Sequence, residues 1–573
     1  MSRSATEPPE RCPARLLPAL LALCVACDHE APLPGIPSQR LVVGLEEVPR
    51  SLDPRFSTDA ASMRVARLVF SALVSVDNER LEPRPELAKS WERDPADPRL
   101  WRVELREGLR WHDGAPLTSA DVVASFHSVL DSTLGSPLRE AYAETLREVV
   151  ALGPHTVEFR LKRPTANFVS DLVLGLVPRH LLGPDGRMVD GPVVGSGPFR
   201  LVERSGRRLD LERVPPLPDD APRFLSFVAI RDEGARLMAA LGGSMDLLQG
   251  GISPVLASAL EEREALEVRW SPSVSLSYLA VNLRHPRLAD RRVREAIAHA
   301  LPRQRLIETL LAGHAREAVG LLAPQHWAFN PATPSFAYDP ERARRLLAES
   351  GGPVDLVIKA SSQRLRRTLV RVMGEALEAV GFRVTVRTFE FPTFFADVRA
   401  GNFDLALMDL PEPTEPDFYR WMFHSMGVPD RAVRTEGSEY ARADRRFLPP
   451  GALDETVLAD PVCRTWVPEA LRQGTRNAVL AAFEVPLPYS VANRGAYANP
   501  RVDCRAELSR AALDPSARRL LIDDLQAMVA ADLPIIPLWH PDIPVVSRKR
   551  VLGYEALPNG RLGNLVHARL RGD

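Results

Sequence analysis

From Leu41 onward, short runs rich in β-branched and apolar residues alternate with stretches whose apolar positions recur at helical spacing, and the alternation continues through most of the chain. That pattern calls for mixed α/β lobes and excludes repeat arrays and all-β sandwiches. At 573 residues the chain is too long for one core, because domains run about 100 to 200 residues. Two or three lobes are expected. LVVGL at 41–45 reads as the opening strand. WRVELREGLRW at 101–111 alternates through Trp101, Val103 and Leu105, which predicts a half-buried strand running to a turn at His112-Asp113-Gly114. Thr118 with Asp121 three residues later forms a capping box ahead of Val122, Val123, Phe126 and Val129, so a helix should run to about Leu130. Asp290 caps a helix with the face Val293, Ile297, Ala300 and Leu301. Asp339-Pro340 opens another, which Gly351 and Gly352 stop. A helix over about 364–380 ends at Gly381, and FRVTVRTF and FDLALMDL follow as strands. The stretch 426–492 is rich in charge and proline, fits no lobe by pattern, and carries one expected helix near Pro468–Phe483.

The first residues obey a different rule. Arg11 and Arg15 precede the apolar run LLPALLALCVA, which is roughly a dozen residues and short of the ~20 that span a bilayer. It reads as the core of a signal peptide, so export is expected. Cys24 and Cys27 have no second cysteine or histidine pair nearby to complete a zinc site. Val25-Ala26-Cys27 resembles the end of a bacterial lipobox, which implies lipidation of Cys27, with plain cleavage as the alternative. The polar, proline-rich DHEAPLPGIPSQ after it suits a tether. Once Cys27 is acylated, Cys463 and Cys504 are the thiols left in the mature chain. They can form one disulfide in an oxidising compartment, although their spacing does not establish it.

Charge and motif content narrow the function. Formal net charge is -1 and the basic residues are scattered, so no electrostatic footprint for nucleic acid exists. No G-x-S-x-G elbow, P-loop, H-E-x-x-H or S-x-x-K element stands in a usable context. The 12 histidines are dispersed. No enzyme activity, metal or cofactor is therefore expected, and His112 reads as a locally bonded turn residue. Gly195-Ser196-Gly197 lacks the lysine and third glycine of a phosphate loop and reads as a backbone crossing between lobes.

AKSWERDPADPRLWRVELREGLRWHDGAPLTSADV at 88–122 resembles the signature of the family 5 bacterial extracellular solute-binding proteins. VGSGPFRLVE, SYLAVNLRHPRLADRRVREAIAHALPRQRLI, YDPERARRLLAESG, GNFDLALMDL, YANPRVD and AADLPIIPLW follow in that family's order. The resemblance implies an α/β fold of the periplasmic-binding-protein type: a two-lobe clamp of class II with an additional domain. It implies a signal peptide with lipobox over 1–27, a tether over 28–40, and N-terminal lobes over 41–275. Within these the first lobe is discontinuous and the second spans about 60–190. A second ligand-binding lobe over 276–524 with an insertion at about 426–492, and a return to the first lobe over 525–573, complete the expectation. Function would be capture of a small ligand, by default a peptide, and its delivery to the permease and ATPase subunits of an ABC importer. The protein would be periplasmic or at the cell surface, anchored to membrane by lipid, and monomeric. Peptide-binding relatives hold the ligand's ammonium with an acid after the strand matched by FDLALMDL, which points to Glu412 or Asp409 with Trp421 further along; a solvated proline-rich loop is the alternative. Tyr278 and Asn282 on the strand near the hinge, and Trp327 in a loop, complete the candidates, with core packing an equal account of Tyr278 and a better one of Trp327. A filled-cleft surface protein with an interaction role, or a ligand-sensing regulator, are the alternative functions. The regulator would need an N-terminal DNA-binding domain, for which the residues before Leu41 are too few.

Overall fold

The computed structural model describes residues 39–76, 79–424, 460–464 and 492–571. The expected signal segment with Cys27, the tether up to residue 38, and nearly all of 426–492, including the helix expected near Pro468–Phe483, lie outside the described residues; Arg40, at the end of the expected tether, already belongs to the first strand.

One strand organises the rest. Ile535–Arg548 is 14 residues long and serves two cores. Its first half pairs antiparallel with Leu276–Val281, placing Ile536 opposite Leu279. Its second half pairs with Leu247–Gln249 and Leu266–Pro272, placing Val546 opposite Leu248 and Val268. A sheet of 12 strands results. On one side it continues through Leu276–Val281, Leu405–Leu410, Asp355–Ser361 and Arg383–Phe389. On the other it continues through Leu247–Gln249, Arg40–Leu45, Phe224–Ala229, Arg208–Arg213 and Phe199–Ser205. Leu41, Val43, Phe199, Leu211, Phe227 and Val545 build the first-lobe core. Leu279, Ile297, Ile358, Leu377, Leu407 and Trp539 build one core of the second lobe. Burying such side chains is worth about 1.5–3 kcal/mol each.

The additional domain is a separate sheet of four antiparallel strands, Ala88–Arg93, Leu100–Leu105, Thr156–Leu161 and Leu146–Gly153, covered by the helix Ser119–Leu130. Its core holds Trp101, Val103, Phe126 and Phe159. The capping box reads as expected: the Thr118 N–H donates to Asp121 at 2.8 Å. Asp290 and Asp339 also cap their helices, accepting from Arg292 N and Arg342 N at 2.9 and 2.8 Å. The strand expected over 101–111 stops at Leu105 instead. Gly108 turns the chain at φ +70, where a glycine carries no steric penalty.

Two boundaries move. Val65, Leu68 and Val69 pack in the first-lobe core and Leu73 in the small-domain core, so the small domain begins past 70 rather than near 60. Leu525 and Val529 pack in the second lobe, so the return to the first lobe falls between Trp539 and Val545 rather than at 525. The chain re-enters the first lobe between Val194 and Phe199, across Gly195-Ser196-Gly197. There two chain segments touch: Gly197 N donates to Val69 O at 2.8 Å, and a Cβ on Gly195 would sit 1.9 Å from that same oxygen. His112 stitches the crossing. It accepts at Nδ1 from Gly195 N at 3.2 Å and meets Gly197 O with Nε2 at 2.9 Å, a pairing that requires the Nε2–H tautomer. Burial lowers its pKa, which favours that neutral form. Gly195→Ala is expected to cost about 1–3 kcal/mol by forcing the two segments apart. Thermal unfolding checks this, and an unchanged midpoint would show that the crossing has slack.

Candidate ligand-binding site

The lobes are joined where Leu266–Pro272 leads into Leu276–Val281 and where Ile535–Arg548 passes between cores. Between those crossings the loop after Leu405–Leu410 is fixed on every side. Ser275 Oγ donates to Pro411 O at 2.5 Å. His326 Nε2 donates to Thr414 O at 3.1 Å while its Nδ1 accepts from Ala328 N at 3.0 Å. Desolvation pushes the His326 pKa down to about 4, so the ring is neutral at physiological pH, as that hydrogen-bond pattern requires.

Glu412 lies in this loop and pairs with Arg561 Nε at 3.0 Å. Arg561 belongs to the C-terminal segment, 149 residues away. That segment is stitched to the hinge, with Val274 N donating to Pro558 O at 2.9 Å. The Glu412–Arg561 pair therefore joins a second-lobe loop to first-lobe chain. Asp409, at the end of its strand, accepts from Ser277 Oγ at 2.8 Å and pairs through its other oxygen with Arg366. The acids of this loop are thus partnered, unlike those of a solvated surface loop.

The other candidates sit elsewhere. Tyr278 is buried among Met408, Phe423 and Val398, and desolvation pushes its phenol up to about 12. It borders a small cavity of about 20 Å³, also lined by Met422 and Arg494, with room for about one water. Asn282 is fully buried and ties two backbones together, donating to Gly401 O at 3.0 Å and Phe403 O at 2.7 Å. Trp327 and Trp421 are half-buried against the second-lobe core. The Arg518 guanidinium lies 5.5 Å from the Trp327 ring centre, and Trp421 meets Phe418 edge-on. The structure thus brings Glu412 and Asp409 to the lobe junction and gives Tyr278 and Asn282 surroundings that hold the second lobe together. Arg561 and Arg366, which meet the two acids, carry no local signal in the sequence.

Elsewhere, Cys463 and Cys504 are bonded, their sulfurs 2.01 Å apart. The bond joins the short helix Pro461–Arg464 to the helix Pro500–Ala511. Among the described residues no group of three histidines, cysteines or acids is placed to hold a metal ion. No described helix is long and apolar enough to cross a membrane.

At the junction a second-lobe carboxylate and a guanidinium of the C-terminal segment form one ion pair. Comparison with known proteins bears on the fold and the family. The chain is 26% identical over 419 residues to the oligopeptide-binding protein AppA of Bacillus subtilis, covering 68% of this chain and 76% of that one. It is 25% identical over 463 residues to the probable D,D-dipeptide-binding periplasmic protein DdpA of Escherichia coli, covering 75% and 87%. Among solved structures, NikZ of Campylobacter jejuni in complex with Ni(L-His) superposes with a TM-score of 0.72 at 21% identity, over 93% of this chain and all of that one. AppA of B. subtilis in complex with a nonapeptide superposes with a TM-score of 0.69 at 20% identity, over 93% and 99%. These likenesses fix the fold as the two-lobe clamp with an additional domain. Residues 82–429 match the model of the bacterial extracellular solute-binding proteins, family 5, middle region, and the chain belongs to that family.

Proposed function

We propose that this chain is an exported, lipid-anchored, monomeric solute-binding subunit that captures a peptide between its lobes and presents it to the permease and ATPase of an ABC importer. The observation that carries this reading is the Glu412–Arg561 pair, one charge from each side of the clamp, 3.0 Å apart at the hinge. Peptides supply both complementary groups on a backbone that any side chain can decorate. Relatives named for oligopeptides and dipeptides support the ligand class. Glu412 is the ammonium acceptor, with Asp409 beside it oriented by Ser277 and Arg366. The lobes close over ligand because each contributes contacts that exist only in the closed form. Cys27 carries the lipid, and the protein performs no bond-making chemistry of its own.

The same pair favours a second reading, in which the cleft is permanently bridged and the protein serves as an interaction partner at the surface. A thermal-shift screen against peptide pools, nickel complexes and sugars separates the two. A ligand present at a hundred times its dissociation constant adds about 2.7 kcal/mol to stability. A shift with peptides alone supports the proposal; a shift with a nickel complex or sugar reassigns the ligand, and none at all supports the bridged cleft.

A further inference from the structure

The small domain is joined covalently only to the first lobe, where the chain crosses past Phe70 and returns after Val194. Its contacts with the second lobe are therefore not enforced by connectivity, and an opening clamp can break them. These contacts are charged and buried. Glu144, at the end of the small-domain helix Arg139–Thr145, accepts from Arg510 Nη1 and forms an ion pair with Arg420 Nη2 through the same oxygen, each at 2.6 Å. Both arginines come from the second lobe, and all three side chains are at most 9% exposed. Arg510 Nη2 also donates to Thr145 Oγ1 at 2.7 Å, and Arg510 O accepts from the small-domain Ala166 N at 2.7 Å. Small-domain Arg163 reaches the other way, to second-lobe Glu507 Oε2 at 3.3 Å. Further along, Ser170 Oγ donates to Glu415 in the loop that carries Glu412.

We infer that this Glu144-centred network is a latch: it holds the small domain against the second lobe, makes that domain a working jaw of the clamp, and populates the closed form before any ligand arrives. The physical reason lies in the chemistry of the seal. An apolar interface would stay shut, because opening it exposes oil to water. A buried ion network gains almost as much hydration on opening as it loses in Coulomb attraction, so its two states lie close in free energy while its closed register remains unique. The connection from Ser170 to the Glu412 loop then couples the jaw to the ligand site.

The inference rests on the clamp reading, but its test requires no ligand, so the two fail separately. Hydrogen exchange and small-angle scattering are measured on the ligand-free protein. In Glu144→Arg, which sets a third cation against Arg420 and Arg510, protection of the Ala166 amide should fall on the order of a hundredfold, and the radius of gyration should rise. Amides in the two lobe cores should stay protected. Arg383→Gln, which removes a surface ion pair with Asp355, should change neither readout. Should Glu144→Arg fail to fold, Glu144→Gln gives a smaller loss at the same amide. An unchanged Ala166 amide and radius in folded Glu144→Arg or Glu144→Gln overturns the latch, as does loss of protection spread evenly through the small-domain core.

Discussion

Asp246→Ala is expected to destabilise the first lobe by about 3–5 kcal/mol, the cost of leaving one member of a buried ion pair behind. The Asp246 side chain is fully buried. It accepts from Val42 N at 2.9 Å and from Arg550 Nε and Nη2 at 2.8 and 2.7 Å. Arg550 in turn donates to Arg40 O at 3.0 Å. One carboxylate thus ties the opening strand, the segment leading into Leu247–Gln249 and the C-terminal chain, three pieces far apart in sequence. Alanine removes the three bonds made to the carboxylate and leaves the Arg550 guanidinium, 20% exposed, without its buried counter-charge. Denaturant unfolding of the ligand-free protein, followed at first-lobe amides by hydrogen exchange, measures the loss. A cost below about 1 kcal/mol would mean that water or a neighbouring acid takes over the arginine.

Glu412→Ala is expected to weaken peptide binding by about 2–5 kcal/mol, the range for truncating one partner of a buried charge pair in a recognition site. The loss has two sources. The ligand's ammonium loses its acceptor, and Arg561, only 8% exposed, loses the partner seen in the structure. Asp409→Ala should cost less. Its side chain is 43% exposed, and solvent screens what it contributes. Equal losses from the two substitutions would indicate that the ammonium lies between the acids rather than on Glu412.

Much of this molecule is written locally. Thr118, Asp290 and Asp339 announce helix starts because a capping side chain acts within three residues of itself. Arg383–Phe389 and Leu405–Leu410 are legible because alternation and short apolar runs are local signals. The strand from Trp101 ends sooner than its sequence pattern predicts because Leu109 and Trp111 continue the alternation beyond the turn at Gly108. The return to the first lobe falls later than the expected 525 because the helix Pro515–Asp532 still packs on the second lobe and the single strand after it serves both cores, with no residue in that strand marking the transition. The acids of the candidate loop were legible as acids, but their partners were not. Arg561 lies 149 residues from Glu412 and Arg510 lies 366 from Glu144, and nothing in either local context distinguishes these arginines from the many others. Tyr278 and Asn282 show the opposite effect. Both faces of Leu276–Val281 are buried, one in each core of the second lobe, and only the register with Leu405–Leu410 and Ile535–Arg548 decides which residues go where.

The most direct test of the account is titration calorimetry of the peptide ligand against four proteins: the unaltered chain, Glu412→Ala, Arg561→Ala and the double variant. If ligand is held between the lobes by this pair, each single substitution weakens binding, and the double variant loses less than the sum because the two residues act on one ligand and on each other. Strictly additive losses, or a peptide bound with equal affinity by all four proteins, would place the ligand elsewhere and contradict the clamp described here.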